Sequence, residues 1–206
     1  MNRKLIFFVA LLLLPIVMAP LAVAEDMHPA ATLVMKTADE MMARLRAERD
    51  AVKKDKNRVN QLVEEIVLPH FDFENMSASV LGKYWRTANA DQRQRFRDEF
   101  KTLLLRTYAN ALVDNMDKKI EYEPVRAKPN ATDVTVRTNI PQDGGFPLPI
   151  NYSMELIDNE WKVYDVEIDA ISLVKNYRTT FSKEVKESGI EHLIETLKSR
   201  NKEMIS

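Results

Sequence analysis

The chain contains no cysteine. That excludes disulfide staples, thiolate metal sites and cysteine nucleophiles. It also excludes a lipid-modified cysteine. Glycine is scarce, with four in 206 residues. So few glycines argue against phosphate-cradling loops and against a turn-dense all-β fold. No Walker or dinucleotide fingerprint and no G-x-S-x-G elbow is present. The three histidines, His28, His70 and His192, are far apart and show no ligand spacing such as H-x-x-x-H. An excess of positive charge is also missing, which gives no support for a nucleic-acid partner.

Only one long apolar run exists, Leu5 to Leu14. Arg3 and Lys4 precede it, and Ala22-Val23-Ala24 follows. A charged start, a short apolar centre and an A-x-A site are the pattern of a secretory signal peptide. Pro15 and Pro20 interrupt the segment, and it is short for a membrane span. An uncleaved anchor is the alternative. We therefore expect a signal peptide over 1–24 and one soluble domain over 25–206. Cleavage removes Arg3 and Lys4, leaving 28 basic against 31 acidic residues, a net charge of −3 over 182 residues. That length suits one domain with a real core. Export without disulfides points to a Gram-negative periplasm, so the Asn-x-Ser/Thr triplets at Asn75, Asn130 and Asn151 read as chance.

Periodicity divides the rest. Leu33, Ala38, Met41, Met42 and Leu45 recur at helical spacing from Thr32 to about Arg49. A second helix, capped by Asp55 or Asn57, carries Val59, Leu62, Val63, Ile66 and Val67 and ends at Pro69. Ser77 or Asn75 then caps a short helix that stops at Gly82. Asn89 and Gln92 have capping-box spacing ahead of a long amphipathic helix from about Ala90 to Met116. From Lys119 the period becomes two. Strands are expected at Ile120–Val125, around Val134–Ile140, around Ile150–Leu156 and at Glu160–Ile168. A loop from Pro141 to Pro149 joins the middle pair, and Asp158-Asn159 turns into the last strand. After Asp169 the helical period returns with Ile171, Val174, Tyr177, Phe181 and Val185, and Gly189 breaks it. No internal repeat is visible. The expected fold is α+β, with helices packed on one face of a twisted four-stranded antiparallel sheet.

Two polar groupings have competing readings. Asp165, Glu167 and Asp169 share one face of a strand end, either as a carboxylate or cation site or as a solvated edge that leads into a helix cap. Lys53, Lys54 and Lys56, with Arg49 and Arg58 nearby, form a basic cluster that suits an anionic surface or plain solvent. The apolar surface is more telling. The helix stripe Phe96, Phe100, Leu104 and Tyr108 needs cover. So do the stripe Val174, Tyr177 and Phe181 and the sheet face Val136, Tyr152, Met154, Val163 and Val166. They make either a packed core or an apolar cleft for a ligand.

The ordered set Leu68-Pro69-His70-Phe71-Asp72-Phe73, Val80-Leu81-Gly82-x-x-Trp85, Gln92-Arg93-x-x-Phe96-x-x-x-Phe100, Trp161-Lys162-Val163-Tyr164-Asp165-Val166 and Ser172-Leu173-Val174-x-Asn176-Tyr177-Arg178 resembles the MlaC family. This is the toluene-tolerance auxiliary family of periplasmic phospholipid-binding proteins. The likeness runs from about Met35 to Leu197. Where relatives often have Gly before the Ser-Leu/Ile pair, this chain has Ala170-Ile171. The resemblance implies a monomeric, non-enzymatic carrier with no cofactor. It would exchange phospholipid between an outer-membrane lipoprotein/porin complex and an inner-membrane ABC transporter with a substrate-binding ring, docking transiently and maintaining outer-membrane lipid asymmetry. On that basis the expected tail-contacting residues are the stripe and sheet residues above together with Leu81 and Tyr84. Arg137 and Arg178 are expected at the headgroup rim. Two tails carry roughly 30 methylenes, so water exposure costs about 24 kcal/mol and a dry pocket is required. A docking module with a filled core and an exported hydrolase using Asp165, Glu167 or Asp169 are the competing readings.

Overall fold

The computed structural model describes residues 27–128 and 130–203. The expected signal peptide over 1–24 lies outside the described residues. Helix α1 spans Pro29–Ala47 and begins before the expected Thr32. Proline is tolerated in a first turn, and His28 Nδ1 accepts the Ala30 N–H at 3.2 Å. A short α2 (Arg49–Lys54) leads to α3 (Lys56–Ile66), whose cap is Asp55, accepting from the Asn57 N–H at 2.9 Å. A 3₁₀ turn at Leu68–His70 follows.

Helix α4 is Phe73–Leu81. Its cap is Asp72 rather than Asn75 or Ser77, because the Asp72 carboxylate accepts the Asn75 N–H at 2.9 Å. Gly82 ends the helix at φ 56°, a conformation that favours glycine. A short α5 (Lys83–Thr87) precedes α6, Ala90–Asp114. Both halves of the Asn89–Gln92 capping box form, at 2.9 and 3.2 Å. At about 1.5 Å per residue, α6 runs roughly 37 Å along the whole molecule.

The sheet has five strands in the sequential order β1 (Glu121–Tyr122), β2 (Asp133–Ile140), β3 (Leu148–Ile157), β4 (Glu160–Ile168) and β5 (Ile171–Ser172). All neighbours are antiparallel. Two expectations change. The first strand is two residues long instead of six. A fifth strand takes Ile171 out of the helix, because the chain reverses through Asp169 and Ala170, both at positive φ, and pairs back on β4. Helix α7 then spans Leu173–Glu203, bent at Gly189 (φ 85°) as the pattern implied. Asp165 anchors its start by accepting the Val174 N–H at 3.1 Å.

A β-bulge between β3 and β4 decides which side chains face the helices. Ser153 pairs with Asp165 but Met154 pairs with Val163, so Tyr164 is the extra residue. Without it, Val163 and Val166 would lie on opposite faces. With it, Trp161, Val163, Val166 and Ile168 all face inward.

The apolar side chains form two clusters. One is helical: Met41, Met42 and Leu45 of α1 with Val59, Leu62, Val63 and Ile66 of α3 and Leu105 and Ala109 of α6. The other lies between sheet and helices, with Met76, Val80 and Leu81 of α4, Phe96 and Phe100 of α6, Phe181 of α7 and the inner sheet face. Helix α1 crosses from one to the other. Among the described residues no helix is long and apolar enough to cross a membrane.

Candidate functional site

Register alone stacks the inward side chains of the sheet into rows. Val134, Met154 and Val163 form one row. Val136, Tyr152 and Val166 form the next, and Tyr122, Thr138, Ile150 and Ile168 the last. For the large side chains cover falls along this series, although Thr138 in the last row is buried. Met154 and Val136 are fully buried and Val163 nearly so. Tyr122, Ile150, Tyr152 and Ile168 are only half-buried.

The helices show the same gradient. Phe96, Phe100 and Phe181 interlock at centroid distances of 5.7–6.1 Å and have no more than 1% exposure. Tyr177 stacks on the edge of this group, 5.4 Å from Phe100, and is half-buried, as are Tyr108 and Val174. The interface between sheet and helices is therefore sealed at the Phe96–Met154 end and open at the Tyr177–Tyr152 end.

Tyr152 gives the clearest sign of an internal space. It lies on the middle strand, on the inner face, between buried Val136 and Val166. Burial pushes its phenol pKa up. The side chain nevertheless retains some accessible surface, unlike Val136 and Met154 beside it. Burial also raises Tyr177, to about 12, and the neighbouring Tyr108 adds to the shift. It raises Tyr122 too, with Asp39 and Tyr152 contributing. The buried Tyr122 hydroxyl has no hydrogen-bond partner among the described residues. Tyr108, Tyr122, Tyr152 and Tyr177 thus all lie on the half-buried side of the cluster.

The expected tail-contacting set divides along this gradient. Leu81, Phe96, Phe100, Leu104, Val136, Met154, Val163, Val166 and Phe181 are buried and form the floor and sealed end. Tyr84, Tyr108, Tyr152, Val174 and Tyr177 are half-buried and packed at its border. The two arginines are not brought together. Arg137 pairs with Asn151 and lies on the outer face of the sheet, because it alternates with the buried Val136 and Thr138. The exposed Arg178 guanidinium packs over Gly82, 3.0 Å from where a Cβ would stand. Tyr122, Ile150 and Ile168 escaped the sequence-derived set. The alternation of Ile150 with Tyr152 was the available signal for one of them.

A family model described as MlaC protein matches residues 35–199. The chain belongs to the MlaC family. The match runs from α1 into the second half of α7 and covers most of both apolar clusters of this MlaC-family chain. Toluene tolerance protein ttg2D of Pseudomonas putida is 29% identical over 158 residues, 76% of this chain and 73% of that protein. The intermembrane phospholipid transport system binding protein MlaC of Haemophilus influenzae is 28% identical over 165 residues, 79% of this chain and 77% of that one. Among solved structures, the phospholipid-binding protein from Ralstonia solanacearum, in complex with a phospholipid, has 32% identity and a TM-score of 0.80, covering 86% of this chain and 99% of its own.

Several members of the remaining polar groupings of the MlaC-family chain have structural partners. Asp165 accepts from the Ser172 hydroxyl besides capping α7, and Glu167 accepts from Asn151 Nδ2 at 2.8 Å. Asp169 stands in the β4–β5 turn. In the basic cluster, Arg49 pairs with Asp117 and Arg58 with Glu48. Among the described residues no group of three or more His, Asp or Glu side chains is placed to hold a metal ion.

Proposed function

We propose that this chain is a soluble periplasmic phospholipid carrier. The acyl tails enter the tyrosine-ringed space between sheet and helices. Lipid is exchanged between an outer-membrane lipoprotein/porin complex and an inner-membrane ABC transporter with a substrate-binding ring. The carrier is a monomer that docks transiently, does no chemistry on its cargo and maintains outer-membrane lipid asymmetry. Export by a cleaved signal peptide over 1–24 places it there.

The observation that carries the reading is Tyr152: accessible surface at the centre of the inner sheet face, where a filled core has none. Family membership and the phospholipid seen in the Ralstonia relative support it. Energetically, a dry apolar space offsets the roughly 24 kcal/mol of exposing two tails, which a bilayer offsets equally well. Transfer in either direction is then nearly balanced, and direction is left to the membrane partners.

The mature protein, purified without added lipid, is expected to carry close to one equivalent of diacyl phospholipid by native mass spectrometry and solvent extraction. Lipid-free protein that also takes none from vesicles would leave a docking module with a filled core.

A further inference from the structure

Among the described residues three large apolar side chains stand exposed: Met27, Phe146 and Ile171. Met27 adjoins His28, whose ring meets Trp161 near the start of β4, at the sealed end. The other two lie at the opposite end. Phe146 is 95% exposed in the β2–β3 loop, and Ile171 is 57% exposed directly after the β4–β5 turn. The Asp169 N–H donates to the Pro149 carbonyl at 3.1 Å, so the base of the loop and the turn are neighbours. Along β3 the inward residues run Met154, Tyr152, Ile150 and Leu148. The loop therefore continues past the half-buried row and stands beyond the open end.

This loop is held in shape. Pro141, Pro147 and Pro149 fix backbone angles along it. Asp143 pairs with Lys118 at 3.0 Å, and Gln142 Nε2 donates to the Ile140 carbonyl at 3.1 Å. A restrained loop that leaves its only ring in water presents that ring outward, to an apolar partner. Charge does not define the surface. Lys118 is matched by Asp143, and the exposed Lys119 and Lys175 are equal in number to the exposed Glu121 and Asp169. No sign dominates that would select a strongly charged partner. Two apolar side chains on adjacent turns, beside the opening between sheet and helices, suit the interfacial layer of a bilayer. That layer accepts aromatic and branched side chains and imposes no fixed shape.

We propose that Phe146 and Ile171 dip into the surface of a phospholipid bilayer and set the open end against it. A tail then passes between bilayer and protein without crossing water. This rests on the carrier reading, and it adds direct bilayer contact to docking on membrane complexes. Two side chains bury far less apolar surface than an acyl chain, and a single acyl chain holds a protein only marginally. The contact is therefore brief, as a shuttle requires.

The test reads the rate of lipid uptake by delipidated mature protein. One donor is dioleoylphosphatidylcholine vesicles carrying a self-quenched, fluorescent-tailed phosphatidylcholine. The other is dihexanoylphosphatidylcholine dissolved below its micelle concentration. The Phe146→Ser/Ile171→Ser double variant should draw lipid from vesicles about tenfold more slowly than wild type and bind the dissolved lipid equally. Both replaced side chains are exposed, so the melting temperature should be unchanged. Wild-type uptake from vesicles should change less than about twofold between about 0.05 and 0.5 M salt, because the contact is apolar. A double variant as fast as wild type overturns the bilayer contact, and so does a steep salt dependence. Lost binding of the dissolved lipid in a folded variant puts the two side chains in the lipid-binding space and overturns it as well. Wild type that binds dissolved lipid and takes none from vesicles overturns the bilayer contact in favour of a protein-docking patch, with the carrier reading intact. Wild type that takes neither lipid overturns both.

Discussion

The two apolar clusters share helices α1 and α6 and differ in what fills them. The helical one is built from Met, Leu, Val, Ile and Ala, with no ring and no hydroxyl among its described members. The one between sheet and helices holds three interlocked phenylalanines and, among its half-buried members, five tyrosines. A phenol buried without a partner costs about 1–3 kcal/mol, so a purely structural core has reason to avoid it. On the carrier reading proposed above, the helical cluster is a keel and the tyrosine-edged one the working half.

The largest effect should separate these halves. Leu62 is fully buried in the helical cluster, and Leu62→Ala should lower unfolding free energy by about 3 kcal/mol in urea titrations while lipid content stays unchanged. Val174→Trp, which adds a ring at the half-buried border, should do the reverse: a change under about 1 kcal/mol, with retained phospholipid falling severalfold. Equal stability losses, or lipid loss from Leu62→Ala, would erase the distinction.

A smaller effect sharpens the comparison at the sheet edge. Ala170 has φ 62°, where an L side chain crowds its own backbone. A glycine at this position would adopt that φ without strain, and alanine does not. Ala170→Gly should raise the thermal midpoint, corresponding to about 1 kcal/mol. A lowered midpoint would show that the turn is held by something other than its backbone.

The smallest effect belongs to the keel. Hydrogen bonding from Arg58 and then Arg44 lowers the Glu48 pKa from 4.5 to about 2. A depressed carboxylate stabilises the fold above its unfolded pKa and loses that contribution as pH falls toward its folded one. The midpoint difference between wild type and Glu48→Gln should therefore shrink as pH drops from about 4.5 to about 2. A difference that does not change with pH would show that these arginines do not hold the carboxylate.

Local rules made much of this legible. Asp55, the Asn89–Gln92 box, Gly82 and Gly189 marked helix ends because capping and positive φ depend on a few adjacent atoms. The alternation over Val134–Ile140 placed the inner face of β2, and the aromatic stripes of α6 and α7 did meet. What escaped depends on distant pairing. The bulge at Tyr164 comes from the register of β3 against β4, and β5 exists only because β4 offers it an edge. Tyr122 lies in a two-residue strand too short to show a period. Arg137 was drawn toward the lipid by its charge, whereas the pleat directs it to the outer face.

The hydroxyls around the open half have a consequence for the emptied protein. A purely aliphatic chamber stays dry when vacated, and each Å³ left unfilled costs about 24 cal/mol. A chamber with phenols in its wall gives water somewhere to bind. On the carrier reading, such a chamber floods instead of collapsing once its cargo has gone, and the next tail has only to displace loosely held solvent.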